Sequence, residues 1–182
     1  MKSGGNGGSD WAELREAQAQ TLQLPNTGMA VTVDIGESKD IHPRNKQDVG
    51  KRLAAQALDK VYQIPGISGG PIIRSSEVKG HQVLLRFVQT GTGLQSKNRY
   101  GYLNAFEVAG ADQQFHYARA WIADPDQVLV ECEAVASPVA VRYAWADDPG
   151  DANLYNKEGF PAQPFRTDNW PMKTAKAHYR FE

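Results

Sequence analysis

The sequence predicts an α/β segment followed by an antiparallel β-sandwich. Two observations support this prediction: apolar residues recur at helical spacing on both sides of one continuous apolar run, and short alternating segments with turn residues between them begin at about Pro71. At 182 residues, the chain can bury roughly 70% of the surface that it exposes when unfolded. We therefore divide it into a linker (1–9), an α/β part (10–64), a second linker (65–70) and a β-sandwich domain (71–182).

The amino-terminal residues have the composition of a flexible linker, because glycine and serine dominate them. Such a start indicates either a cloning junction or the beginning of a downstream fragment. Asp10 is then a candidate helix cap with Glu13 three positions later, which predicts a first helix that ends before Pro25. The apolar positions of this helix are Trp11, Leu14, Ala17 and Leu22.

A nearly continuous apolar and β-branched run, Met29–Ile35, follows this helix. The pattern is typical of a strand buried on both faces and predicts a parallel strand. A polar loop then leads to Pro43, which suits the first position of a second helix. The apolar face of that helix consists of Val49, Leu53, Ala54, Ala57, Leu58 and Val61. One strand with two helices cannot form a sheet alone, so we expect a partner to supply further strands.

The β-sandwich domain is predicted from alternating segments. They are His81–Gln89, Leu103–Ala109, Phe115–Ala123, Gln127–Ala134 and Pro138–Trp145. In the last of them, Val141 and Tyr143 share one face and Arg142 lies on the other, as burial with a period of two requires. The stretch Asp147–Pro171 is predicted as a long ordered loop, and Ala175–Phe181 as a closing strand.

The charge balance and the cysteine content exclude several classes of function. With 20 Lys and Arg residues against 21 Asp and Glu residues, the chain has no broad cationic field for nucleic acid or an anionic membrane surface. Cys132 is the single cysteine, which excludes an internal disulfide and a cysteine-based metal cluster. The sequence contains neither metal-ligand spacing nor a phosphate-binding glycine motif. We expect no cofactor, no nucleic acid partner and no membrane partner.

The loop after the predicted strand carries the most informative polar residues. His42 and the carboxylates of Asp34, Glu37 and Asp40 lie just beyond the carboxyl end of that strand, where active sites of open α/β sheets are found. A histidine there could act as a general base if a carboxylate orients its other ring nitrogen. The alternative is a surface loop in which Asp40 or His42 caps the next helix.

Several ordered motifs resemble the carboxyl-terminal part of bacterial sialate O-acetylesterase-like carbohydrate esterases, which belong to the SGNH hydrolase superfamily. The resemblance extends from Asp10 to about Pro171. It rests on the segments 11–18 (Trp-Ala-Glu-Leu-Arg-Glu-Ala-Gln), 24–31 (Leu-Pro-Asn-Thr-Gly-Met-Ala-Val), 40–47 (Asp-Ile-His-Pro-Arg-Asn-Lys-Gln), 139–145 (Val-Ala-Val-Arg-Tyr-Ala-Trp), 152–156 (Ala-Asn-Leu-Tyr-Asn) and 164–167 (Pro-Phe-Arg-Thr). It implies a flavodoxin-like α/β domain and a serine esterase that removes acetyl groups from sugars without a metal.

The resemblance also assigns roles to the loop residues. In that family the histidine of the Asp-Ile-His-Pro segment is the catalytic base, which corresponds to His42. The superfamily commonly places an aspartate three residues before this histidine, but Lys39 occupies that position here. Asp40 is therefore the preferred orienting acid, and Glu37 and Asp34 are the alternatives.

The family's nucleophile lies in a Gly-Gln-Ser-Asn type motif, and neither this motif nor the family's oxyanion-hole residues occur in the sequence. We expect the chain to supply the histidine while an N-terminal esterase segment or partner chain supplies the serine and the oxyanion hole, so that the chain alone is catalytically incomplete. Ser68, within Gly66–Pro71, is no substitute, because a nucleophile elbow needs a strand directly before it and a helix directly after it.

A second hypothesis is a non-catalytic carbohydrate-binding or scaffold module formed by the β-sandwich domain. Its aromatic residues could provide a platform for sugar stacking, although aromatics at alternating strand positions are more typical of a core. These residues are Trp121, Tyr143, Trp145, Tyr155 and Trp170. The resemblance favours a periplasmic or secreted protein and leaves sialic acid, xylan and xyloglucan fragments open as substrates.

Overall fold

A computed structural model of the chain describes residues 8–66 and 68–176. Two α-helices come first, α1 at Asp10–Gln20 and α2 at Lys46–Lys60. Short 3₁₀-helices lie at Thr21–Gln23 and Lys173–Lys176. The strands follow α2 and are β1 (Ile72–Lys79), β2 (Gln82–Val88), β3 (Leu94–Ser96), β4 (Phe106–Ala109), β5 (Phe115–Tyr117), β6 (Arg119–Asp124), β7 (Gln127–Glu131), β8 (Ala140–Tyr143), β9 (Leu154–Asn156) and β10 (Phe165–Arg166).

The strands pair in antiparallel sheets. The first sheet has the order β1-β2-β7-β6, the second has the order β10-β8-β4-β5, and β3 pairs with β9. Side chains alternate along each strand, so that Val83, Leu85 and Phe87 of β2 enter the same core as Phe106 and Val108 of β4. The two larger sheets share this core, which confirms the predicted antiparallel, β-rich architecture.

Several predicted element boundaries in the β-sandwich domain are wrong. The predicted strand Phe115–Ala123 is two strands, β5 and β6, which belong to different sheets and are separated at Ala118. The Ala118 amide donates to the Phe106 carbonyl at 3.0 Å, where the chain changes sheets. The predicted loop Asp147–Pro171 contains the short strands β9 and β10. The predicted closing strand Ala175–Phe181 starts inside a 3₁₀-helix and then lies outside the described residues.

Helix α1 is capped by a residue that the sequence pattern assigned to the linker. The Ser9 Oγ accepts a hydrogen bond from the Ala12 amide at 3.1 Å and donates one to Asp147 Oδ1 at 2.6 Å. Ser9 is 1% exposed. The linker prediction for 1–9 is therefore wrong at Ser9, and Asp10 is the first helical residue rather than the cap; the residues before Gly8 lie outside the described part of the chain.

The predicted parallel strand Met29–Ile35 is not a strand in the structure. A strand needs a neighbour to pair its backbone groups, and the sheets among the described residues are built from residues after Pro71. The run instead ends in a turn, where the Ile35 amide donates to the Thr32 carbonyl at 3.2 Å. Most of its side chains are half-buried, as in a strand without the neighbouring strands of its sheet.

Helix α2 begins directly after Asn45, whose Oδ1 accepts a hydrogen bond from the Asp48 amide at 3.1 Å. The predicted start at Pro43 is too early, because the loop continues until this cap. The predicted apolar face exists but is largely uncovered, with Leu53 50% exposed. Arg52 is the buried residue of this helix.

The second sheet carries a buried carboxylate on the face opposite to the core. Glu107 of β4 is 7% exposed and lies in register with Arg142 of β8 on one side and Tyr117 of β5 on the other. Burial raises the pKa of Glu107 to about 7, although the charge on Arg142 favours the ionised form. The folded protein therefore holds this proton more tightly than the unfolded chain does.

We expect the variant Glu107→Gln to gain stability relative to the unchanged protein as the pH rises. The stabilisation that protonated Glu107 contributes is complete below its unfolded pKa of 4.5 and is lost as the pH rises through about 7, whereas glutamine does not titrate. The gain in the free energy of unfolding should reach about 3 kcal/mol above pH 8. Urea unfolding of both proteins at pH 4 and pH 8 measures it, and a difference that is the same at both pH values would contradict it.

Candidate active site

The loop 34–45 connects the segment 29–33, which belongs to no strand, to α2 and carries the predicted histidine. Two carboxylates of the loop bind its own backbone. Asp40 Oδ1 accepts a hydrogen bond from the His42 amide at 2.8 Å, and Glu37 Oε1 accepts one from the Arg44 amide at 2.9 Å. The Asp40 amide donates to the Glu37 carbonyl at 3.1 Å. Carboxylates that cap nearby amides stabilise tight turns. The acids predicted as partners of His42 therefore also set the shape of its loop.

The structure brings His42 and Asp40 together at the protein surface. His42 Nδ1 lies 3.6 Å from Asp40 Oδ1, and the two side chains are 81% and 48% exposed. The contact is longer than a hydrogen bond; if it shortened to one, the acid at Nδ1 would leave Nε2 as the nitrogen that can exchange a proton. Such contacts are often long before substrate binds. Because Asn45 caps α2, neither His42 nor Asp40 has the capping role considered as the alternative.

Asp34, an alternative acid, lies in a different environment. Its side chain is 7% exposed, and Arg52 donates to both of its oxygens, from Nη1 to Oδ1 at 2.7 Å and from Nη2 to Oδ2 at 2.6 Å. The Tyr155 hydroxyl donates to Asp34 Oδ2 at 2.7 Å. Burial alone would raise the pKa of Asp34, but these hydrogen bonds and the Arg52 charge lower it, so the carboxylate is ionised.

We call this cluster of Asp34, Arg52 and Tyr155 the Asp34 joint. Arg52 also donates to the Val31 carbonyl at 2.6 Å, so the guanidinium binds the segment before the loop as well as its first carboxylate. The sequence analysis did not identify Arg52. The helical pattern gave no signal for it, because Arg52 lies almost opposite the predicted apolar face of α2, where a charged side chain is normally exposed.

A groove of about 310 Å³ lies beside the loop. Trp11 and Leu14 of α1 line it together with Met29 and Val31 of the segment 29–33. Glu37 of the histidine loop also lines the groove. Trp11 is 58% exposed and Leu14 is 47% exposed, so the groove presents apolar surface to solvent.

The aromatic residues considered for sugar stacking are mainly structural. Tyr143, Trp145 and Tyr155 are 1%, 3% and 4% exposed, as expected for core aromatics. Trp170 packs edge-on against Phe115, with ring centroids 5.7 Å apart. These positions do not form an exposed platform, so the binding-module hypothesis gains no support from them.

Ser68 lies in irregular structure between the end of α2 and the start of β1. It has no strand directly before it and no helix directly after it, so it is not in a nucleophile elbow. Its hydroxyl donates to Asp59 Oδ2 at 2.7 Å, and Asn156 Nδ2 donates to the Gly69 carbonyl at 2.9 Å. Within residues 8–66 and 68–176, no group of three His, Cys, Asp or Glu side chains is placed to hold a metal ion. No helix in that part of the chain is long and apolar enough to cross a membrane.

No protein-family model and no curated protein matches this chain. Among solved structures, it is similar to a novel carbohydrate acetylesterase from Xanthomonas citri, with 46% sequence identity and a TM-score of 0.86. The chain is related to a carbohydrate acetylesterase. The match covers 93% of this chain and 38% of that one, so this chain spans well under half of the length of the acetylesterase.

Removal of the Arg52 charge should destabilise the protein strongly. We expect Arg52→Met to lower the free energy of unfolding by about 3–5 kcal/mol, because the buried Asp34 carboxylate loses its counter-ion. The matched control is Arg86→Met, which removes an exposed ion pair with Glu77 at 3.0 Å and should cost less than about 1 kcal/mol. Urea unfolding at pH 7 measures both, and equal losses would contradict the importance of burial. The double variant Asp34→Asn/Arg52→Met should recover part of the loss.

Proposed function

We propose that this chain is part of a carbohydrate O-acetylesterase of the SGNH superfamily, similar to sialate O-acetylesterases, in which His42 is the general base. The observation that carries the proposal is the exposed His42–Asp40 pair, with Nδ1 and Oδ1 3.6 Å apart, on a loop shaped by its own carboxylates. The relation to a carbohydrate acetylesterase supports the reaction class. The resemblance of 40–47 to the family's histidine motif supports the assignment of the base.

The proposed reaction transfers an acetyl group to a serine and then to water. His42 Nε2 takes the proton from the serine hydroxyl as its oxygen attacks the acetyl carbonyl. The C–O bond to the sugar then breaks, and the imidazolium returns the proton to the sugar oxygen, which leaves as a hydroxyl. In the second half, His42 takes a proton from a water molecule as its oxygen attacks the acyl carbonyl. The C–O bond to the serine then breaks, and the imidazolium returns the proton to the serine oxygen, which leaves free serine and acetic acid, released as acetate after loss of its proton. Asp40 stabilises the imidazolium in both halves.

The serine and the oxyanion hole belong, in this proposal, to an N-terminal esterase segment or partner chain that packs against the groove. The run Met29–Val33, which belongs to no strand, and the exposed side chains of Trp11 and Leu14 support this position. A neighbouring strand there would pair further backbone groups of the run and cover the apolar surface, completing a flavodoxin-like sheet. Glu37 lines the same groove, so the arriving segment would come close to the histidine loop.

Replacement of His42 tests the base directly. In the complete esterase we expect His42→Ala to lower kcat by about 10³-fold or more, because serine is a weak nucleophile without its base. Unfolding should be unchanged, since the side chain is 81% exposed. His81→Ala is the matched control: its side chain is 72% exposed and lies 3.7 Å from Glu131, yet it should keep full activity. Hydrolysis of an acetylated oligosaccharide measures both, and full activity of His42→Ala would refute the proposal.

Two amide substitutions identify the acid. Asp40→Asn keeps an oxygen for the His42 amide but removes the charge, and we expect roughly a 10²-fold to 10⁴-fold loss of kcat. Glu37→Gln keeps the bond to the Arg44 amide in the same way and should lose less than tenfold if Asp40 is the acid. Steady-state hydrolysis with thermal unfolding as a check distinguishes them. A larger loss in Glu37→Gln would reassign the acid to Glu37.

The groove can be tested with a charge. We expect Leu14→Asp to weaken assembly of the complete esterase and lower activity at least tenfold, because the aspartate would be buried without a partner. Val78→Asp, at a position 54% exposed on β1, is the control and should assemble normally. Size-exclusion chromatography and hydrolysis measure the two effects, and normal assembly of Leu14→Asp would exclude this groove as the docking site.

A further inference from the structure

We propose that Tyr155 is a positioning residue, which holds the His42 loop in its working orientation through the Asp34 joint. This inference rests on the proposed function of His42. Tyr155 belongs to β9, far from the loop in sequence, and its hydroxyl reaches Asp34 Oδ2 at 2.7 Å. It thereby connects the β-sandwich domain to the loop.

The Asp34 joint holds the two ends of the His42 loop together. Asp34 stands at the start of the loop and Arg52 stands in the helix after it, so their bidentate pair ties the two ends together. Arg52 Nη1 also binds the Val31 carbonyl. The path of the backbone into and out of the His42 segment is thus fixed relative to Arg52.

Tyr155 connects the Asp34–Arg52 pair to the β-sandwich domain. Its neighbours hold it in place: Leu154 is fully buried, and the Leu154 amide donates to the Tyr143 hydroxyl at 3.0 Å. Lys97 Nζ lies 3.8 Å from the centre of the Tyr155 ring. The hydroxyl therefore projects from a well-packed part of the β-sandwich domain. Its hydrogen bond to Asp34 restricts the movement of the loop relative to that domain.

The chemistry of Tyr155 fits positioning rather than proton transfer. Burial and the adjacent Asp34 carboxylate raise the pKa of Tyr155, so the hydroxyl stays protonated and acts as a donor. Both oxygens of Asp34 already accept from Arg52, and Oδ2 also from Tyr155, whereas Asp40 Oδ1 lies 3.6 Å from His42 Nδ1. The two aspartates therefore have separate tasks: Asp34 anchors the loop and Asp40 orients the imidazole.

Tyr155→Phe removes the hydroxyl and leaves the ring in place. In the complete esterase we expect kcat to fall roughly 10-fold to 100-fold with little change in KM, because a base displaced by a fraction of an ångström transfers its proton less well. Thr167→Val is the matched control, since it removes a part-buried hydroxyl that also makes one hydrogen bond, from the Val141 amide at 2.9 Å, and belongs neither to β9 nor to the Asp34 joint. Both variants should unfold at a lower denaturant concentration than the unchanged protein, by a similar amount, but kcat of the control should stay within about twofold of the unchanged value.

Hydrogen exchange in the same complete protein separates positioning from catalysis. The amides of Asp40 and His42 donate to the Glu37 carbonyl and the Asp40 carboxylate. They should exchange at least tenfold faster in Tyr155→Phe and at an unchanged rate in Thr167→Val. Equal kcat losses in both variants, or unchanged exchange in Tyr155→Phe, would overturn the inference. If Tyr155→Phe accelerates exchange while His42→Ala keeps full activity, the positioning stands and the proposed catalytic role of His42 fails.

Discussion

The arrangement of α2 and the loop before it depends on the ion pair between the buried Asp34 carboxylate and Arg52, together with the hydrogen bond from Tyr155. An ionised carboxylate that is 7% exposed is costly unless it is fully paired, and the bidentate contact with Arg52 and the Tyr155 hydroxyl satisfy both oxygens. These three residues come from the start of the loop, from α2 and from β9, so one charge joins parts of the chain that share little apolar surface. Ser9 with Asp147 at 2.6 Å attaches α1 to the β-sandwich domain by polar contacts in the same way.

This polar attachment explains an unusual distribution of apolar surface. The core of the described residues lies between the two larger sheets, whereas α1 and α2 contribute little to it. Leu14 and Leu53 remain about half exposed on their helices. Helices in stable domains normally bury such a stripe. Because directional hydrogen bonds and ion pairs hold these helices, their apolar sides stay exposed, as the proposed assembly with a further segment requires.

The alternating strands and the histidine loop could be predicted from the sequence. Strand pairing and the partner of Arg52 could not, because they depend on residues that are distant in the sequence. Alternation found β2, β7 and β8, because apolar residues recur at every second position along each of them. Alternation also merged β5 with β6, since the pattern alone does not reveal a change of sheet at Ala118. The continuous apolar run Met29–Ile35 indicated a buried strand, but a strand also needs a neighbour with which to pair. His42 and three carboxylates were predicted together, yet which carboxylate pairs with Arg52 depends on contacts across the fold.

Asp34 and Asp40 show how environment separates two identical side chains on one loop. Asp34 is enclosed and held at both oxygens, so it cannot follow an imidazole that gains and loses a proton. Asp40 is 48% exposed, and its contact with His42 Nδ1 is 3.6 Å, so it can shorten. In solvent this attraction is weak, because water screens it. A segment that covers the neighbouring groove would exclude water from the pair and strengthen the attraction as the imidazolium forms. In the proposed esterase, the open groove and the exposed His42–Asp40 pair would therefore belong to one site, in which assembly both delivers the serine and strengthens the pair that activates it.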